Sequence, residues 1–189
     1  LQCMKQHRPV SHRRSTFPKS FSFNKLVGID FFYISFLGKT HAFLNVICLG
    51  TNLQQVALLP NYGGGPPNAR DAWNLFSRLW LQPFGLPETL ICDQGSEFKG
   101  LFDRSLEQVG VFQAVIDGAA PWQNGKTEQH GAWIKARLED EIQSGQTIVQ
   151  SSQELELLAQ LVTCHKNRWF HRGGFSPYQL VFGDRKSVV

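Results

Sequence analysis

The spacing of apolar positions changes several times along the chain, and each change marks an element. LVGIDFFYISF (26–36) and HAFLNVICLG (41–50) are β-branched and aromatic runs separated by the turn signal Gly38-Lys39, which predicts a hairpin. QQVALLP (54–60) reads as a third strand ended by Pro60. After NYGGGPP, the residues Ala69, Ala72, Trp73, Phe76, Leu79 and Trp80 recur at three- and four-residue spacing, which predicts one apolar helical face stopped at Phe84-Gly85-Leu86-Pro87. TLICD (89–93) is a short buried strand. A helix is expected over 97–109, with Phe98, Leu101, Phe102, Leu106 and Val109 inward, then a strand over 111–116. DGAAPWQNG leads into a helix over 126–143. Ser151 and Glu154 predict a capping box for a last helix whose face carries Leu155, Leu158, Val162, His165 and Trp169.

The order is therefore three strands, helix, strand, helix, strand, helix, helix. Hairpin strands first and crossover-linked strands later imply an α/β fold with a five-stranded mixed sheet flanked by helices. Residues 1–25 lack periodicity and read as a basic N-terminal arm, residues 26–183 as the folded core, and residues 184–189 as a tail.

A chain of 189 residues suits one domain with short extensions. No run approaches eighteen apolar residues, so no membrane span is expected, and the polar, basic start LQCMKQHRPVSHRR is unlike a signal peptide. The four cysteines, Cys3, Cys48, Cys92 and Cys164, form no CxxC pair. Cys48 and Cys92 lie in apolar runs and read as buried small hydrophobes, and nothing suggests a secreted disulfide scaffold, so an intracellular setting is expected.

Charge distribution sharpens the picture. Residues 1–25 hold six Lys or Arg and no acid, and residues 165–189 hold five with one Asp. The stretch between holds eight basic and fourteen acidic residues, a net of −6. An acidic centre with basic ends suits a protein that holds cations centrally and grips a polyanion peripherally; basic ends that only keep the chain soluble are the other reading.

Among the acids, Asp30 lies inside the first strand among apolar neighbours, where burial is costly unless compensated. Asp93 sits where the fourth strand ends. If those strands are neighbours, both carboxylates reach one crevice at the strand ends, where open α/β sheets place their sites. Glu128 falls in the first turn of its helix, at the edge of a stripe formed by Ile134, Leu138 and Ile142. Lys135 lies within about 20° of Glu128 around the helix axis. Three converging carboxylates repel one another, and hard divalent cations such as Mg²⁺ resolve the conflict. A pair of them can serve an in-line displacement at phosphorus. Singly, each acid has an ordinary alternative: a structural ion pair, a turn or a favourable helix-dipole contact.

VGIDFF around Asp30, FGLPETLICDQGSEF around Asp93 and PWQNGKTEQHGAWIK around Glu128 resemble the integrase catalytic core of retroviruses and long-terminal-repeat retrotransposons, gypsy-like elements in particular. HKNRWFHRGGFSPYQLVFG is similar to the family's closing helix and Ser/Thr-Pro segment, so the resemblance spans nearly all of residues 23–183. It implies a ribonuclease-H-like fold, with Asp30, Asp93 and Glu128 as a catalytic triad that binds two Mg²⁺ or Mn²⁺ ions. It implies DNA integration: trimming of element DNA 3′ ends by water, then joining of those ends to target DNA. Asn124 and Gly125 match the loop that meets DNA, and Lys135 matches a helix position that contacts the element end. A lysine suits a phosphate as a point charge. The partners implied are element and target DNA and further copies of the chain, at least a dimer, with no small-molecule cofactor and with a nuclear place of action. Thirty-four residues separate Asp93 from Glu128, one fewer than the family pattern, with the loss expected around Asp117–Ala120. Cys3 with His7 resembles the end of the family's N-terminal zinc module. A decayed copy, left as a DNA-binding or assembly remnant without catalysis, is the competing reading; a nuclease or transposase of the same fold is another.

Several residues have two readings each. Trp133, about 140° from Glu128 around the helix, either marks a partner surface or packs on the final helix. Trp122 either stacks on a DNA base or anchors its loop. Glu97 either stands behind Asp93 or caps its own helix. His130 and His165 read as structural or DNA-adjacent.

Overall fold

The computed structural model describes residues 22–116, 125–145, 149–171 and 173–183. Residues 1–21 of the N-terminal arm, with Cys3 and His7, the segment holding Asp117–Ala120, Trp122 and Asn124, and the tail all lie outside the described residues. The elements run β1 (Leu26–Phe36), β2 (Lys39–Cys48), β3 (Gln54–Leu58), α1 (Ala69–Phe76), α2 (Gln82–Phe84), β4 (Thr89–Cys92), α3 (Leu101–Gln108), β5 (Phe112–Val115), α4 (Gly125–Ser144), α5 (Ser152–Trp169) and α6 (Pro177–Phe182). Their five strands form one sheet in the order β3-β2-β1-β4-β5. β1 pairs antiparallel with β2, and β2 with β3, whereas β4 runs parallel to both β1 and β5. This is the expected mixed sheet, and the elements follow the expected order.

The hairpin closes through Leu37 and Gly38, both at positive φ (49° and 72°), the backbone of a tight two-residue turn. Alternate residues of β1 then feed opposite faces. Val27, Ile29 and Phe31 join a core beneath α1 and α3 that contains Phe76, Trp80, Phe98 and Phe102. Phe32, Ile34 and Phe36 join a second core with Ile134 and Leu138 of α4 and Leu155, Leu158 and Val162 of α5. Cys48 and Cys92 are buried, as their apolar surroundings predicted. No described helix is long and apolar enough to cross a membrane.

Three details differ from the expectation. The helix predicted over 97–109 is split into a 3-10 turn at Ser96–Phe98 and α3, because Gly100 takes a positive φ of 65° that breaks the ladder. Val109 falls outside α3 and is 37% exposed. On α5 the capping box at Ser151 and Glu154 forms, but His165 and Trp169 face outward while Lys166 and Asn167 are buried in their place. The closing segment also adds α6, which has its own box between Ser176 and Gln179 and a proline in its first turn.

Candidate active site

The position of each acid follows from sheet register. Parallel pairing sets Gly28 of β1 beside Ile91 of β4. Carried two residues further, that register brings Asp30 alongside Asp93, which follows the last residue of β4. Asp93 is exposed, and its Oδ1 accepts the Gly95 N–H at 2.9 Å, a local turn that fixes the side chain. Asp30 is less exposed, and its Oδ1 accepts the N–H of Phe31 at 2.8 Å.

Glu128 reaches the same place because α4 is docked on β1 through a notch. Gly28 has no side chain, and a Cβ there would collide with Thr127 Oγ1. Thr127 is buried, and its neighbour Glu128 is exposed in the first turn of α4. One turn on, Gly131 passes over Asn45, where a Cβ would lie 3.1 Å from Asn45 Nδ2. Two small residues thus let the helix descend onto the strands beside Asp30.

Electrostatics register the gathering. Burial pushes the Asp30 carboxyl from 3.8 up to about 7, and the charges of Asp93, Glu128 and Glu97 push the same way, against the Phe31 N–H, which favours the anion. Of the two readings of Glu97, the helix cap is not formed, since α3 begins only at Leu101. Its carboxylate folds back over Gly95, held by its own backbone N–H and the Ser96 hydroxyl, and burial raises its pKa with Asp93 as a further cause. It caps neither the 3-10 turn nor α3, which has Gly100 at its N-cap position, and its charge acts on Asp30 together with that of Asp93.

The donor set is all hard oxygen, which fits Mg²⁺ or Mn²⁺ rather than zinc, and a buried acid held among like charges has the electrostatics of a cation site. Among the described residues, however, no three acidic, imidazole or thiol groups stand close enough to hold one ion. The three acids lie at one end of the sheet without forming a ligand shell, and Glu128 is exposed on the first turn of α4.

The other predicted positions fall as follows. Gly125 opens α4. Lys135 lies two turns beyond Glu128, 4.0 Å from Glu139 in a half-exposed pair. Trp133 packs edge-on against Phe170 at 4.7 Å between ring centres, so its packing reading holds. His130 is tied to Lys166 beneath α4.

That tie belongs to a buried polar group the sequence reading missed. Gln54 Nε2 donates to Asn45 Oδ1 at 2.6 Å and to the His130 carbonyl at 3.3 Å. Its Oε1 accepts from Lys166 Nζ, and its backbone N–H and C=O pair with the Asn167 side chain at 3.0 and 2.7 Å. Asn45 Nδ2 donates to the Thr127 carbonyl at 3.1 Å. Lys166 is only 3% exposed, and burial, with Lys126 nearby, lowers its pKa to about 7. A lone amide in FLNVIC was the available signal, since a polar residue inside an apolar run needs a partner.

No protein-family model matches the sequence. No curated protein matches it either. Solved structures do. The chain superposes with a TM-score of 0.73 on a chain of the simian T-cell lymphotropic virus intasome, solved with the PP2A regulatory subunit B56 gamma, at 10% identity over 89% of this chain. It spans 58% of that chain's length. It matches the HTLV-2 integrase catalytic core domain, solved in complex with magnesium in a trimeric form, with a TM-score of 0.68 at 12% identity over 86% of this chain and 99% of the other. The BIV integrase catalytic core gives 0.62 at 16% identity, over 84% and 94%. The structural neighbours are retroviral integrase catalytic cores, and the chain has their ribonuclease-H-like fold.

Proposed function

We propose that this chain is the catalytic core of a retroelement-type integrase, a metal-dependent polynucleotidyl transferase that trims element DNA 3′ ends and joins them to target DNA. One observation carries the reading: in a fold shared with integrase cores, the β1–β4 register and the Gly28–Thr127 notch bring Asp30, Asp93 and Glu128 to one end of the sheet. The magnesium complex of the HTLV-2 core is in keeping with an ion at such a site.

Asp30, Asp93 and Glu128 would hold the Mg²⁺ or Mn²⁺ ions, which when bound supply charge neutralisation for the attacking and leaving oxygens at phosphorus. Asp30 presents its carboxylate from a rigid strand centre, and Asp93 from a turn locked by Gly95. Glu128 closes the set from the helix. By the family resemblance Asn124 and Gly125 would meet the DNA, and Lys135 would hold an element-end phosphate as a point charge. Two DNA ends call for at least two copies of the chain. The HTLV-2 core has been solved in dimeric and trimeric forms. Chromosomal targets place the action in the nucleus.

The test is a branched DNA carrying an element end already joined to target, incubated with the chain and Mn²⁺. Resealing of the target strand with release of the end supports an integrase. Cleavage without resealing points to a nuclease of the same fold, and DNA binding with neither reaction points to a non-catalytic remnant.

A further inference from the structure

Asn45 faces Asp30 directly across the β1–β2 ladder, so the two side chains leave the sheet on the same face. Asn45 is fully buried, and its amide donates to the carbonyl of Thr127, the residue before Glu128. One side chain therefore adjoins one acid through the ladder and another through the chain. Its own oxygen is held by Gln54, whose remaining side-chain and backbone groups are held by Lys166, His130 and Asn167.

Stability alone does not call for this arrangement. Phe32, Phe43, Val56 and Leu158 fill the rest of the same interface with apolar groups, and exchanging a buried polar set for apolar residues of like volume is often neutral or stabilising. What the polar set adds is direction. An apolar helix face tolerates sliding, whereas a donor aimed at one carbonyl fixes both rotation and height. A shift of one residue along α4 is about 1.5 Å and 100°, and misplacement by about 1 Å can cost about a hundredfold in rate.

We propose that Asn45, braced by Gln54 and Lys166, is a positioning residue that sets the first turn of α4 so that Glu128 stands level with Asp30 and Asp93. This role rests on reading those three acids as the reaction centre. Gln54 is the best probe. Gln54→Glu is nearly isosteric and keeps an acceptor for Lys166, yet loses the donors to Asn45 and to the His130 carbonyl. Asn45→Leu removes the link itself.

Both variants and the wild-type chain are compared by amide hydrogen exchange and by Mn²⁺ titration of branched-DNA resealing. Exchange in residues 125–131 rises about tenfold, the size of one lost buried hydrogen bond, while β1 and β2 stay protected. Turnover falls about tenfold or more, the Mn²⁺ concentration for half-maximal rate rises, and KM for DNA stays within about twofold, a split that general destabilisation would not produce. A folded Gln54→Glu chain with wild-type exchange at 125–131, or with wild-type turnover and Mn²⁺ dependence, overturns the proposal. If Asn45→Leu fails to fold, Gln54→Glu decides alone. A wild-type chain inert on the DNA overturns the integrase reading, and exchange in the same samples still decides the anchoring: raised exchange upholds it and unchanged exchange overturns it.

Discussion

The two faces of the sheet are covered in different ways. Beneath α1 and α3 the contact is aromatic, with Phe98 edge-on to Phe102 at 5.3 Å and stacked with Phe31 at 5.9 Å between centres. Beneath α4 and α5 the contact begins apolar, with Phe32 stacked on Phe43 at 5.3 Å, and becomes polar toward the acid end at Asn45, Gln54, Lys166 and Asn167. The first face needs only to be filled. On the proposed reading the second also delivers Glu128 to a particular place, and its glycine notches and directed hydrogen bonds are suited to that.

Breaking the aromatic face has the largest expected effect on stability and no particular effect on the site. Phe102→Ala removes a fully buried ring and costs about 3–5 kcal/mol, read as a lower denaturant midpoint with any activity lost in proportion to the unfolded fraction.

Asp30 sharpens the contrast because the fold carries it at a cost. Its folded pKa of about 7 lies above the ordinary 3.8, so the fold favours the protonated acid and the ionised form opposes folding. That penalty is small at pH 4, grows as pH rises and levels off above pH 7. Asp30→Asn therefore stabilises the chain by on the order of 2–4 kcal/mol at pH 8 and by less than about 1 kcal/mol at pH 4, measured by denaturant unfolding at both values. Added Mn²⁺ raises the unfolding midpoint of the wild-type chain but not of the variant. Equal stability of the two chains at pH 8 would contradict the burial of Asp30 beside the other carboxylates.

A smaller effect is expected at the notch. Gly28→Ala puts a methyl group into Thr127 Oγ1 and costs about 1–3 kcal/mol, with a loss of turnover larger than the loss of folded chain. Thr127→Ala in the same chain removes that oxygen, which is buried without a hydrogen-bond partner among the described residues, and recovers part of both. No recovery would mean that α4 is not set by this contact.

The apolar half of this design was legible in the sequence. β-branched and aromatic runs around a turn signal marked β1 and β2, three- and four-residue spacing marked α1, and the acids at Asp30, Asp93 and Glu128 stood out by their place in strand, strand end and first helical turn. The polar half was not, because long-range pairing decides it. The apolar series on α5 took in His165 and Trp169 and passed over Lys166 and Asn167; the partners that draw this pair inward, Gln54 and His130, lie 112 and 36 residues from Lys166 in sequence. Gly28 read as one residue of a strand, and only the docked Thr127 reveals it as a notch. Gly100 broke a helix that the apolar spacing carried straight through, since spacing is blind to a positive φ.

On the proposed function Asp30, Asp93 and Glu128 act together at phosphorus with a divalent cation. The most direct test is resealing of branched DNA in Mn²⁺ by the wild-type chain beside Asp93→Asn and Glu128→Gln. Metal-dependent resealing is expected, lowered by each substitution about a thousandfold or more, the several kcal/mol that metal-held charge supplies to such a transition state. Wild type and variants that are equally inert, while all bind DNA, would contradict it.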